Sequence, residues 1–111
     1  MVEFTRISVA DANALIEKGP VTIADIRDEA SFNSGHIKNA QHLDNTNTQD
    51  FIDKSDMDQP LIVVCYHGNS SQPASVFLAD RGFDDVYSLD GGFTEWAATF
   101  PDKCSAGGVT D

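Results

Sequence analysis

The chain has 111 residues, of which 41% are hydrophobic, and its 18 acidic and 7 basic residues give a formal net charge of −11. The acidic balance disfavours nucleic acid and anionic membrane surfaces, so we expect neither as a partner. The length predicts one domain over 1–111, with a core at about 4–101 and a loose tail at 102–111. The sequence shows neither a signal-peptide pattern nor a membrane-spanning run, and we therefore expect a cytoplasmic protein.

The hydrophobic pattern predicts helices that alternate with strands. In chain order, these are a helix at about 9–18, a strand at 21–26, a short helix at 27–33, a strand at 40–43, a brief helix at 50–54, a strand at 61–64, a helix at 71–81, a strand at 85–89 and a helix from 93 to Pro101. This alternation predicts an α/β fold, in which a parallel sheet carries helices on both faces. Ligands of such sheets bind beyond the carboxyl ends of the strands.

Cys65 stands where the strongest predicted strand meets the strongest predicted helix. It follows the aliphatic residues 61–64 and begins a polar loop that contains Gly68. A strand-to-helix turn aims backbone N–H groups and a helix N-terminus inward, which favours a thiolate and any anion attached to it. A buried cysteine is ordinarily inert, but the polar loop favours a functional thiol. Cys104 lies in the Gly- and Ser-containing tail, and we expect it to be incidental.

Two further acidic residues close or follow predicted strands. Asp25 and Asp90 are therefore expected to converge with Cys65 at the same edge of the sheet. Asp25 and Arg27 lie two apart on one strand face, and we expect them to brace the loop rather than take part in the chemistry. His36 is expected to hydrogen-bond within its own turn. The three histidines show no metal-ligand spacing, so we predict neither a metal nor another cofactor.

Three ordered motifs resemble the signature segments of single-domain rhodaneses. They are Asp25-Ile26-Arg27 followed by Phe32, Gly35-His36-Ile37 and Ala40; the loop Cys65-Tyr66-His67-Gly68-Asn69-Ser70-Ser71; and Asp90-Gly91-Gly92-Phe93 with Trp96. Three motifs in order are more specific than any one of them. The resemblance spans about 4–101 and implies a rhodanese-like fold with thiosulfate sulfurtransferase activity.

The resemblance also implies a double displacement in which Cys65 is the nucleophile. Its thiolate would attack the outer sulfur of thiosulfate, release sulfite and hold the sulfur as a persulfide. Cyanide or a dithiol protein such as thioredoxin would then accept the sulfur. N–H groups of residues about 66–70 can stabilise both anions without a metal. The physiological donor and acceptor stay open, as does the choice between monomer and homodimer.

The resemblance assigns the substrate-binding loop to Tyr66, His67, Gly68, Asn69 and Ser70. Gly68 permits the tight backbone turn that a cradle requires. Ser70 and Ser71 either cap the following helix or donate hydroxyl groups to a substrate oxyanion. Tyr66 either forms a wall of the site or covers the core. For His67 we favour a modest role in electrostatics or acceptor docking over that of a general base.

Two other functions compete with sulfur transfer. Cysteine phosphatases of the same fold need an arginine after five intervening residues, where this chain has Ser71, and Arg81 lies too far along the helix. A non-catalytic rhodanese module is disfavoured because Cys65 and its loop are intact. A redox-sensing module would need an exposed thiol of low pKa that forms a sulfenic acid or a disulfide, for example with Cys104.

Overall fold

The computed structural model of the protein describes residues 4–106. Its helices are α1 Val9–Lys18, α2 Glu29–Ser34, α3 Thr48–Lys54, α4 Ser71–Asp80 and α5 Gly92–Thr99, followed by a 3₁₀ turn at Pro101–Lys103. Its strands are β1 Thr5–Ile7, β2 Thr22–Asp25, β3 His36–Ile37, β4 Gln41–His42, β5 Leu61–Val64, β6 Val86–Leu89 and β7 Cys104–Ser105. Each predicted helix and strand is present. β1, β3 and β7, which have two or three residues each, were not predicted.

The main sheet has the strand order β1-β6-β5-β2-β4, and all of its pairings are parallel. β5 lies at the centre between β6 and β2, and all four of its residues are buried. Such continuous burial explains why this strand reads as an unbroken aliphatic run. The central position places the end of β5, and hence Cys65, in the middle of the carboxyl edge.

Two hydrophobic clusters cover the two faces of the sheet. Ile62 and Val64 of β5 belong to one cluster, together with residues of α1 and Trp96 of α5. Leu61 and Val63 belong to the other, which includes residues of α3 and α4. Because neighbouring strand residues point to opposite faces, this division confirms the predicted α/β sheet with helices on both sides.

The predicted loose tail from Asp102 is wrong for the part of it that the structure describes. β7 pairs with β3 in an antiparallel two-stranded sheet. Lys103 Nζ donates to Asn13 Oδ1 at 2.8 Å and to Glu17 Oε2 at 2.7 Å, which ties this segment to α1. The partners are more than 80 residues away in sequence, so no local pattern could reveal them. Residues 107–111 of the predicted tail lie outside the described residues.

Within the described residues, no helix is both long enough and apolar enough to cross a bilayer. The same residues contain no cluster of three or more His, Cys, Asp or Glu side chains that could hold a metal ion.

Candidate active site

Cys65 immediately follows β5, and only 4% of the residue is exposed. The loop 66–70 then leads into α4, whose first residue is Ser71. This is the strand-to-helix turn that the sequence predicts. It places the thiol at the carboxyl edge of the central strand, where parallel sheets carry their ligands.

Hydrogen-bond donors from the loop and from α4 surround the sulfur of Cys65. The backbone N–H of Gly68 donates to Sγ at 3.2 Å, and that of Ser71 donates at 3.3 Å. The hydroxyl oxygen of Ser71 also lies 3.3 Å from Sγ. We define the backbone N–H groups of Gly68 and Ser71 as the N–H cradle. Such an arrangement stabilises negative charge at the sulfur.

Burial and hydrogen bonding act in opposite directions on the pKa of Cys65. Burial is the largest single influence and raises the pKa, because it removes water from the thiolate. The Ser71 hydroxyl and the N–H groups of Ser71, Gly68 and His67 lower it. Together these hydrogen bonds prevail, and the pKa lies below its ordinary value of 9.0. The thiolate fraction at neutral pH is therefore larger than that of a free cysteine.

The first turn of α5 holds the carbonyl groups of the loop away from the sulfur. Phe93 N donates to the carbonyl of Cys65 at 2.8 Å, and Thr94 N donates to the carbonyl of Tyr66 at 3.1 Å. Because α5 binds these two carbonyl oxygens, they are turned away from Sγ, which accepts from the N–H groups of Gly68 and Ser71 further along the chain. The N-terminus of α5 thus orients the start of the loop.

Two glycines permit this close approach. Gly68 has φ +93°, and a Cβ there would lie 3.0 Å from both Gly91 N and Leu89 O. Gly92 has φ +61°, and a Cβ there would lie 2.5 Å from the carbonyl oxygen of Cys65 and closer still to that of Tyr66. A side chain at either position would strain the backbone, and at Gly92 it would separate α5 from the loop.

Asp25 and Arg27 form a buried ion pair beside the loop. Arg27 Nη2 lies 2.7 Å from Asp25 Oδ2, and it also donates to the carbonyl of Gly35 at 2.6 Å. The guanidinium carbon lies 4.3 Å from the centre of the Phe93 ring at the start of α5. The pair thus contacts the helix that orients the start of the loop. Its charge is already neutralised, so it offers no free cation to a substrate.

Asp90 meets the loop through its backbone rather than its carboxylate. Asp90 Oδ1 accepts from Arg6 Nε at 2.8 Å, so its side chain faces β1. Its Cα lies close to Gly68, at 3.2 Å from a Cβ built there. The elements that carry Asp25, Cys65 and Asp90 do converge, as expected. Neither carboxylate, however, is directed at the sulfur, because each is bound to an arginine.

Tyr66 attaches the loop to the start of α2. Its hydroxyl donates to Asp28 Oδ1, and it lies 2.5 Å from Ser31 Oγ. The hydrogen bond from Tyr66, followed by those from Ser31, lowers the pKa of Asp28 to about 2. Tyr66 is 43% exposed, so it forms an outer wall of the site instead of covering the core. The sequence did not predict the contacts of Asp28 and Ser31 with Tyr66, because these residues are 38 and 35 positions away from it.

The structure distinguishes the polar residues of the loop from one another. His67, Asn69 and Ser70 are exposed, whereas Ser71 is fully buried. Ser70 occupies the N-cap position of α4, but its side chain makes no capping hydrogen bond. The Ser71 hydroxyl faces Sγ. The sequence left open whether these serines cap α4 or donate hydroxyl groups to a substrate. The Ser70 side chain does not cap the helix, and the Ser71 hydroxyl is directed at the thiol.

His36 has a partner outside its predicted turn. Its ring stacks on Phe32 with 4.0 Å between the ring centres, and its Nδ1–H donates to the Phe32 carbonyl at 2.8 Å. The ring is fully buried and packs against the end of α2. This contact stabilises the turn after α2.

Ser88 is a buried residue near the site that the sequence analysis missed. It lies on β6, and its hydroxyl oxygen is 2.7 Å from that of Ser71. The one signal available was a small polar residue inside an otherwise apolar strand.

Comparison with known proteins agrees with this geometry. The model of the rhodanese-like domain family matches residues 8–99. The chain belongs to the rhodanese-like domain family. This confirms the resemblance drawn from the three sequence motifs.

Several curated relatives of this rhodanese-like domain match it over nearly its whole length. "Thiosulfate sulfurtransferase GlpE" of Pseudomonas savastanoi pv. phaseolicola is 54% identical, over 96% of this chain and 100% of the relative. The protein of the same name from Ectopseudomonas mendocina is 55% identical, over 96% of this chain and 97% of the relative.

Solved structures give the same fold. A rhodanese-like domain protein from Staphylococcus aureus has a TM-score of 0.72 at 26% identity, covering 84% of this chain and 91% of its own. The solution structure of a rhodanese-like domain from Anabaena has a TM-score of 0.79 at 22% identity, covering 94% of this chain and 80% of its own. The second likeness concerns the fold alone.

Replacement of Gly92 by alanine tests the contact between α5 and the loop. We expect Gly92→Ala to lose about 1–2 kcal/mol of unfolding free energy from its left-handed backbone alone. It should also lose reactivity of Cys65, because the cradle would be displaced. Urea unfolding and alkylation of Cys65 measure the two effects. Gly19→Ala is the matched control, since Gly19 has φ 176° and no atom within 4 Å of its Cβ position. Equal stability of the two variants would contradict this interpretation.

The two cysteines should titrate differently. Burial, followed by the charge of Asp102, raises the pKa of Cys104 above its ordinary value of 9.0, whereas the pKa of Cys65 is lowered. Alkylation rates follow the thiolate fraction and rise with pH through the pKa. Peptide-resolved mass spectrometry of iodoacetamide labelling should therefore give a lower midpoint pH for Cys65. A Cys65 midpoint at or above that of Cys104 would disprove the effect of the cradle.

Proposed function

We propose that this protein is a thiosulfate sulfurtransferase that carries a sulfane sulfur on Cys65. The observation that carries the proposal is the N–H cradle around Sγ, which lowers the pKa of the buried thiol. Relatives at 54% identity that bear the name thiosulfate sulfurtransferase support the choice of reaction. A persulfide anion carries its charge on the outer sulfur, one S–S bond beyond Sγ, and we propose the remaining backbone N–H groups of loop residues 66–70 as its donors.

In the first half of the reaction, the Cys65 thiolate attacks the outer sulfur of thiosulfate. A new S–S bond forms between Sγ and that sulfur, and the original S–S bond breaks. Its electron pair leaves with sulfite, which departs as a dianion, and the outer sulfur keeps its own negative charge as the persulfide anion.

In the second half, a thiophilic acceptor attacks the outer sulfur of the persulfide. The bond to Sγ breaks, and its electron pair returns to Cys65 as a thiolate. The hydrogen bonds from Gly68 and Ser71 stabilise this leaving group. Cyanide would leave as thiocyanate, whereas a dithiol protein such as thioredoxin would form its own disulfide and release hydrosulfide. We propose acceptors of these two chemical kinds.

The charge distribution predicts weak binding of thiosulfate. The protein has a net charge of −11, and Arg27 beside the loop is bound to Asp25. The loop itself contains no lysine or arginine. Local N–H dipoles therefore have to bind a dianion against long-range repulsion. His67 is exposed at the entrance, where we propose a role in electrostatics or acceptor docking. The cytoplasmic location and the choice between monomer and homodimer stay predictions.

The geometry disfavours the two competing functions. A phosphatase needs an arginine at the end of the loop, and Ser71 occupies that position. Arg81 lies beyond α4, where it donates to Gln49 at 3.0 Å. A redox sensor needs an exposed thiol, whereas Cys65 is 4% exposed.

Thiosulfate should convert Cys65 to a persulfide. Mass spectrometry of the treated protein should show one added sulfur atom on the peptide that contains Cys65, and added cyanide should remove it. Cys65→Ser is the control and should gain no sulfur, even though Cys104 is still present. Persistence of the added sulfur in Cys65→Ser would assign the reaction to another residue.

An added cation at the end of the loop should improve substrate binding. We expect Ser70→Arg to lower the KM for thiosulfate about fivefold, since one partly exposed charge pair contributes about 1 kcal/mol. Ser70 is exposed and makes no capping bond, so the change should not disturb α4. Ser70→Gln is the neutral control of similar length. An equal fall in KM for both variants would show that charge is not the limiting factor.

A further inference from the structure

Ser88 has no evident structural reason to be a serine. It lies in β6, its side chain is fully buried, and it stands beside Val63 of β5 in the parallel register. A buried hydroxyl is unfavourable unless it is hydrogen-bonded. Among the contacts of the described residues, its hydroxyl has one partner, the Ser71 hydroxyl at 2.7 Å. An alanine would occupy the same position in the sheet and would need no hydrogen-bond partner.

Each serine hydroxyl has a single proton, and this fixes which serine donates and which accepts in the hydrogen bond between Ser88 and Ser71. Ser71 Oγ lies 3.3 Å from Sγ, and a thiolate only accepts hydrogen bonds, so this contact in the ionised state uses the single hydroxyl proton of Ser71. The oxygen of Ser71 can then only accept from Ser88. The hydrogen-bond chain therefore runs from the Ser88 hydroxyl to the Ser71 hydroxyl and on to Sγ. Each donor in such a chain strengthens the next.

The geometry points to Ser88 as a positioning residue for the Cys65 thiolate. Ser88 is completely buried, and Ser71 lies between it and the sulfur, so it acts through Ser71 and not on the substrate. Its hydroxyl holds the Ser71 proton toward Sγ and stabilises the ionised thiol. The inference rests on Cys65 being the reactive thiol of the proposed function.

The test is the pH dependence of Cys65 alkylation in Ser88→Ala. We expect the midpoint pH to rise by about 0.5–1 pH unit, as befits the loss of one indirect hydrogen bond. Ser88→Thr keeps a hydroxyl and should restore a midpoint near that of the wild type. Ser75→Ala is the matched control. Ser75 is equally buried, but its hydroxyl donates to the Ser71 carbonyl at 2.6 Å and not to the Ser71 hydroxyl.

A double-mutant cycle separates the hydrogen-bond chain from a general effect on packing. Ser71→Ala should raise the midpoint at least as much as Ser88→Ala does. The double variant should show no further increase, because Ser88 acts only through Ser71. An unchanged midpoint in Ser88→Ala, an equal rise in Ser75→Ala, or additive shifts in the double variant would overturn the assignment.

Alkylation needs no thiosulfate, so the outcome is independent of the sulfur-transfer assay. A midpoint shift without persulfide formation would reject the proposed function and keep the role of Ser88. Persulfide formation without a midpoint shift would keep the proposed function and reject the role of Ser88.

Discussion

The site depends on the hydrogen bonds by which the first turn of α5 binds the carbonyl groups of Cys65 and Tyr66. A peptide loop carries donors and acceptors in equal number, and an unoriented loop would present both to an anion. Here the carbonyl oxygens at the start of the loop face α5, and N–H groups are left to face the sulfur. Gly92 makes this possible because any side chain there would overlap the loop backbone. The buried guanidinium group of Arg27 stacks on the ring of Phe93 and so contacts the same helix.

Ionisation of Cys65 is a balance between burial and directed hydrogen bonds. Burial opposes the thiolate more than any single donor favours it, so the lowered pKa needs several donors acting together. This explains why a chain with few cations can still hold a reactive thiolate. Dipoles at about 3.3 Å act at short range, where the long-range repulsion of an acidic protein matters little. The same shortage of cationic side chains limits the long-range attraction of a dianionic substrate.

The contacts of Tyr66 and Ser88 show two ways in which remote elements influence the thiol. Tyr66 fixes the outer side of the loop to the N-cap of α2 through Asp28. Ser88 lies within strand β6, and its hydroxyl meets that of Ser71 inside the core. Both use a single hydroxyl group. The outer contact shapes the wall of the site, whereas the inner one bears on the charge of the sulfur.

The amino-acid sequence by itself determined the alternation of helices and strands, the parallel sheet, and Cys65 at the end of the central strand. These features are local or periodic: β5 is an unbroken aliphatic run, and Gly68 marks a turn before the helix α4. Only the tertiary structure decided which polar groups meet. Ser88 and Ser71 are 17 residues apart, and Tyr66 and Asp28 are 38 apart. The ordered segment at β7 likewise depends on distant partners in β3 and α1. Hydrogen bonds between distant residues depend on side-chain direction and strand register, which a one-dimensional pattern does not contain.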